Sequence, residues 1–182
     1  MMTMPAVLLA LSLAAGPELP TTPFAASDGK AYVLKDTLAA SRFTVLVFFA
    51  HTCPIMRAHD ARVIALAQKY AEKGVRVLLV DSEADATAER AAKDAAERHY
   101  PFPILVDADG ALAHALGVRF ATTAVVLEAG GKVRYRGGID ADKQRLRPES
   151  PFYLADALDA VLAGGSPKES ETKALGCVLR FK

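Results

Sequence analysis

Two β-prone apolar runs, Val45-Leu46-Val47-Phe48-Phe49 and Val75-Arg76-Val77-Leu78-Leu79-Val80, bracket a helical segment from Pro54 to Lys73. A continuous apolar run belongs to a strand covered on both faces. Two such strands joined by a helix pair in parallel through a right-handed crossover. The helix carries Ile55, Val63, Leu66, Ala67 and Tyr70 along one side, and Gly74 supplies its stop signal. This unit commits the chain to an α/β architecture.

The flanking segments extend the pattern. Ala31 to Leu34 reads as a short strand, and Leu38 to Ala40 as part of a helical turn. Ala84 to His99, rich in Ala, Glu, Lys and Arg, reads as a solvated amphipathic helix. Pro101 and Pro103 set an extended path into Ile104-Leu105-Val106; Asp107 to Gly110 is turn chemistry, and Ala111 to Leu116 a short helix closed by Gly117. Ala124–Leu127 and Lys132–Arg136, joined by Glu128-Ala129-Gly130-Gly131, form a hairpin signal. A last helix is expected over 152–163, before Gly164-Gly165. The order β-α-β-α-β-α-β-β-α implies a central mixed sheet with helices on both faces. A single domain is expected over 21–165, followed by a C-terminal tail, 166–182, with an apolar anchor around Leu175 to Leu179.

With 182 residues, 52% of them hydrophobic and 24% charged, the chain has the balance of one packed domain. A net charge of +1 provides no field to attract nucleic acid. The exception is Ala6 to Ala15, uncharged and apolar, with Gly16, Pro17 and Pro20 behind it. Its length suits the core of a secretory signal over residues 1–16 and is too short to span a bilayer. Ser12 and Ala14, or Ala14 and Gly16, are small residues placed for cleavage. Met1 to Pro5 lacks the usual Lys or Arg, which leaves an ordinary N-terminal helix and a cytoplasmic protein as the alternative. Export to the periplasm or exterior is the expectation.

The chemistry concentrates at Phe48-Phe49-Ala50-His51-Thr52-Cys53-Pro54. A buried strand ends, a polar turn follows, and a helix begins with proline at its first position, where the missing N–H costs nothing. Cys53 therefore falls at the N-cap, among unpaired amides and at the positive end of the helix dipole. Both favour thiolate, the attacking species in disulfide exchange and peroxide reduction. An inert buried cysteine is the alternative. His51 stands close enough in sequence to serve as a cation or proton carrier, or to be a surface-turn histidine.

The stretches VLVFFAHTCPIMRAH, GVRFATTAVVLEAGGKVRYRGGID, LADALDAVLAGG and TKALGCVLRF resemble the redoxins of the alkyl hydroperoxide reductase/thiol-specific antioxidant superfamily. The likeness runs from about Phe24 to Phe181 and is nearest to a peroxiredoxin-like branch. It implies a thioredoxin-like fold and a thiol-based oxidoreductase that needs no cofactor. Its partner would be a redox protein, a small disulfide or a peroxide. The departures are specific. Met56 holds the position of a second active-turn cysteine, which rules out dithiol chemistry within the turn. Ala50 and Leu46 replace the threonine and proline that typical peroxiredoxins place before the reactive cysteine, although Thr52 lies beside it. Thr122 falls where the family has its cis-proline facing the thiol. Arg57 and Arg119 are the candidates for an arginine that polarises peroxide. Cys177, in Leu175-Gly176-Cys177-Val178, becomes a candidate resolving cysteine, with a packed tail cysteine or a bond to another chain as alternatives. Loss of the threonine favours disulfide exchange over peroxide reduction.

Cys53, Met56 and His59 together offer soft or borderline ligands for copper, and copper-delivering proteins exist in the thioredoxin superfamily. Six residues of helix put Cys53 and His59 about 120° apart around the axis, which disfavours a shared ion. The acidic stretch Asp81 to Asp85 reads as a solvated loop, and Asp107, Asp109 and Gly110 as a turn. His99 and His114 are expected on exposed helix surface. Asp140 and Asp142 have counterparts in the family whose role the sequence does not define.

Overall fold

The computed structural model describes residues 16–182, so the expected signal at 1–16 lies almost wholly outside the described residues. A two-stranded antiparallel ribbon, β1 (Phe24–Ala25) with β2 (Ala31–Tyr32), precedes α1 (Leu34–Ala39). The main sheet follows. It takes in β3 (Phe43–Phe49), β4 (Val75–Asp81), β5 (Ile104–Val106), β6 (Thr123–Glu128) and β7 (Val133–Gly138) in the order β5-β4-β3-β6-β7. Every residue of β3 is buried, because that strand is central and covered on both faces. β4 and β5 run parallel to it, while β6 and β7 return antiparallel as the hairpin.

The helices are α2 (Pro54–Ala71), α3 (Ala88–Glu97), α4 (Ala111–Ala115) and α5 (Tyr153–Leu162). α2 buries Met56, His59, Val63, Leu66 and Tyr70 and ends at Ala71, with Gly74 in the turn that follows at a φ of +77° that favours glycine. The expected helix over 84–99 is shorter at its start. Thr87 is the N-cap and accepts the Arg90 amide at 3.2 Å, so 84–87 are loop. Composition alone extends the helix pattern back through Ala84 and Ala86; the capping threonine sets the true boundary.

No helix among the described residues is long and apolar enough to cross a membrane. The carboxyl ends of β3, β4 and β5 open into loops on one edge of the sheet, the usual location for a site in an open α/β sheet. The segment leading into β6 reaches the same edge. The loop at Asp81 to Asp85 corrects the expectation of solvated acids: Asp81, Ser82 and Glu83 are buried. Asp81 accepts the Glu83 amide and pairs with Arg90. Asp107 is buried too. It accepts from Ser82 Oγ at 2.6 Å and from the amides of Leu112 and Ala113, thereby holding the start of α4.

Residues 170–182 lie across this edge rather than projecting from it. Glu171 bridges Arg136 on β7, and Thr172 Oγ1 meets the Tyr135 hydroxyl at 2.6 Å. Farther on, Val178 bridges Phe120 in antiparallel sense. Arg180 donates to the Glu83 carboxylate, and the Phe181 ring lies 4.5 Å from that of His114 on α4. The expected apolar anchor is split by strand alternation: Leu179 is buried, while Val178 is 59% exposed.

Candidate active site

β3 carries the chain to Phe49, and the turn 50–53 closes with the Cys53 amide donating to the Ala50 carbonyl at 3.1 Å. Cys53 is the N-cap of α2. It has extended backbone angles, and its sulfur accepts the Met56 amide at 3.5 Å. The sulfur thus takes the place that a serine or aspartate oxygen holds in an ordinary cap. Pro54 follows at the first helical position and is exposed, as is Thr52.

The sulfur is not open to solvent: Cys53 is 2% exposed. The tail packs beside it: Cys177, half-buried, lies against the apolar cluster that contains Cys53, and its carbonyl is held by the loop before β6. Burial, reinforced by the neighbouring Cys53, pushes the Cys177 thiol up to about 11. At neutral pH Cys177 is therefore a protonated S–H donor. Both cysteines are free thiols.

Gly176 makes this approach possible. A Cβ there would sit 1.8 Å from the Ala121 carbonyl oxygen, so any side chain would force the tail away. Beyond it the Ala121 amide donates to the Cys177 carbonyl at 2.8 Å, and the Leu179 amide to the Arg119 carbonyl at 3.0 Å. Thr122, on the same loop, is buried with φ of +65° and donates its amide to the Phe48 carbonyl at 2.8 Å.

The family model described as Redoxin matches residues 14–149, well over half of the chain. This chain belongs to the redoxin family. No curated protein matches it. Among solved structures it is similar to an uncharacterized conserved protein of Geobacillus kaustophilus, at 26% identity over 92% of both chains and a TM-score of 0.81. It is also similar to the peroxidoxin BcpB of Mycobacterium tuberculosis, at 21% identity over 82% of this chain and 96% of that one, TM-score 0.62. A third is the bacterioferritin comigratory protein of Xanthomonas campestris, at 21% identity, 81% and 94% coverage and a TM-score of 0.57. The structural likenesses agree with the thioredoxin-like fold, and membership of the redoxin family with a thiol-based redox function.

The redoxin's other candidate residues divide by environment. His51 is partly exposed, with Nδ1 at 2.7 Å from Asp94, a carboxylate buried on α3. Arg98, also buried, donates to the His51 carbonyl at 2.7 Å and stacks over the Phe49 ring at 4.8 Å. Two residues that composition assigns to a solvated helix therefore clamp the turn that holds Cys53. Their spacing of four on one helix face is a weak sequence signal, which the surrounding charges conceal. Arg57 and Arg119 both face solvent, and neither guanidinium has a hydrogen-bond or ion-pair partner among the described residues.

His59 corrects the copper reading. Its Nδ1 meets the Ile55 carbonyl at 2.7 Å and its Nε2 meets Asp140 at 3.0 Å, so both nitrogens are engaged. Burial alone would pull the imidazole down. The bonds to Asp140 and Ile55 outweigh it and hold His59 above its usual range. Arg62 pairs with Asp140 and with Asp142, and Asp142 accepts from Arg147 and Ser150. His59 thus anchors α2 to the segment after β7 and leaves Cys53 and Met56 without their third ligand. Asp140 and Asp142 are the other half of that anchor.

Proposed function

We propose that this redoxin is a thiol–disulfide oxidoreductase working through a Cys53–Cys177 dithiol/disulfide pair. The observation that carries this reading is the packing of Cys177 against the cluster that holds Cys53, fixed by the passage of Gly176 over Ala121. The two cysteines are placed differently. Cys177 is held as a neutral thiol, whereas Cys53 caps α2 and faces the Met56 amide, which suits it as the attacking sulfur.

The Cys53 thiolate attacks one sulfur of a substrate disulfide, forming a mixed disulfide and expelling the other sulfur as a thiolate that takes up a proton. Cys177 then gives up its proton, and its sulfur attacks Cys53 Sγ and expels the second substrate thiolate. The substrate gains two electrons and becomes two thiols, and the protein becomes the Cys53–Cys177 disulfide. An external dithiol returns it to the starting state. The same reading has this chemistry outside the cytoplasm, and the apolar run Ala6–Ala15 supports it.

Disulfide is favoured over peroxide by the surroundings of the sulfur. Ala50 is buried where a hydroxyl would orient a peroxide, and Arg57 and Arg119 point to solvent. Alkyl peroxide reduction is the activity described for the Xanthomonas campestris protein, so the two substrates are tested together. Reduced protein is mixed with a model disulfide or an alkyl hydroperoxide and followed by stopped flow and intact mass. The expected result is loss of two hydrogens with the disulfide, a trapped adduct on Cys53 in Cys177→Ser, and no reaction in Cys53→Ser. Faster oxidation by hydroperoxide would reverse the substrate assignment. Oxidation without a Cys53–Cys177 bond would remove the proposed pair.

A further inference from the structure

A polypeptide that brings a cysteine up to Cys53 must lay its own backbone beside the sulfur, and that backbone needs hydrogen-bond partners. The loop facing the sulfur offers them in the Ala121 amide and the Arg119 carbonyl. Both are already taken, by Cys177 and Leu179 of the chain's own tail. The tail is extended and antiparallel to Arg119–Ala121, and it lays Cys177 against the cluster that holds Cys53, with Val178 outward and Leu179 inward. Its posture is that of a strand-docked disulfide substrate, covalently supplied.

Resting on the oxidoreductase reading above, we infer that the tail occupies the polypeptide-substrate position, so the substrates of the docked protein are low-molecular-weight disulfides. Two anchors beyond the site hold the occupant. Arg180 donates its amide to Glu83 Oε1 at 3.0 Å and its guanidinium to Oε2 at 3.2 Å, and its carbonyl accepts the Ala84 amide at 2.8 Å. Phe181 packs on His114 and over Gly110, where a Cβ would fall 2.7 Å from the ring. For a small disulfide, the barrier to Cys53 is the Cys177 side chain, which is itself half-buried and can rotate. For a protein disulfide, the strand pairing must also break.

The acids at Asp81–Glu83 acquire a purpose on this view. Asp81 fixes the Glu83 amide at 3.1 Å, and Arg90 holds Asp81, so the carboxylate that grips Arg180 projects from a braced loop. The brace sits on the side of Cys53 away from β7. The tail is therefore fastened at both ends, by Thr172 against β7 and by Arg180 here.

The test measures first-turnover oxidation of full-length reduced protein by bis(2-hydroxyethyl) disulfide and by insulin. Wild type, Gly176→Ala and Arg180→Ala are compared, with Cys53→Ser as background. Wild type is expected to favour the small disulfide by at least about tenfold, the scale set by breaking two backbone hydrogen bonds. The insulin-to-small-disulfide ratio is expected to rise by about the same factor in both variants, because the tail is displaced in one and unfastened in the other. Equal rates in wild type, or a ratio unchanged in both variants, would overturn the inference and leave the oxidoreductase reading standing. Wild type that reacts with neither disulfide beyond the Cys53→Ser background would overturn both.

Discussion

Thr122 is a β-branched residue at φ +65°, a conformation that nothing intrinsic to threonine favours. Backbone held there costs on the order of 1–3 kcal/mol and persists because its surroundings over-determine it. Here those surroundings are the bond from its amide to Phe48 and the tail glycine passing above. Proline, the residue the family resemblance expects at this position, would need the opposite sign of φ and would delete that bond. Thr122→Pro is therefore expected to lower the free energy of unfolding by about 3 kcal/mol. Thr122→Gly, which tolerates the angle, should stay within about 1 kcal/mol of wild type. Urea denaturation of both decides it, and a proline variant as stable as wild type would show that the loop has another conformation open to it. At this scale, legibility follows locality. Cys53 is readable as a helix cap because the strand end and Pro54 flank it directly. The need for glycine at 176 is set by Ala121, far away in sequence, and the sequence shows only that a close approach is allowed.

Among the elements, α2 bears the largest electrostatic load. His59 and Asp140 are both buried, and each perturbs the other in the direction of an ion pair. Because His59 is held above the ordinary imidazole value of about 6.5, the folded chain binds its proton at a pH where the unfolded chain has lost it. The stabilisation is complete below that ordinary value and is lost as pH rises through the raised one. Urea midpoints of wild type should therefore fall between mildly acidic and alkaline pH by more than those of His59→Asn. Parallel curves for the two proteins would show that Asp140 is satisfied by Arg62 alone. Truncating the partner instead, as Asp140→Ala, leaves His59 and Arg62 without their shared acceptor and is expected to cost about 3–5 kcal/mol. The elements themselves were largely legible, since continuous apolar runs and glycine stops are local signals. Partnerships between elements were not. Asp94, Arg98 and Asp81 look like solvated charge in the sequence because their burial depends on chain that arrives from elsewhere, respectively at His51, at the Cys53 turn and at Arg90.

For the whole molecule the decisive arrangement is that the fold has already closed the loop between Cys53 and Cys177. The tail looks in the sequence like a loose appendage with a cysteine. It becomes a strap because its polar groups are satisfied by β7, by Arg119–Ala121 and by Glu83 in succession. Closing a loop of roughly 120 residues in an unfolded chain costs on the order of 4–5 kcal/mol of configurational entropy. In the native protein that cost has been met by folding, since the tail packs Cys177 against the cluster that holds Cys53 before any bond forms. The disulfide should therefore raise the free energy of unfolding by about 2–4 kcal/mol, somewhat less than the loop value because engineered and natural bridges recover only part of it. By thermodynamic linkage the same quantity makes the native bridge harder to reduce than the same bridge in the unfolded chain, at about 30 mV for each 1.4 kcal/mol. Denaturant melts of fully oxidised and fully reduced protein, run beside Cys177→Ser, measure it. Oxidised protein no more stable than reduced would mean that forming the bond strains the strap by as much as it saves. Arg180→Ala separates that case from a strap that is not docked in solution: by freeing the strap it would restore the gain only if strain were the cause.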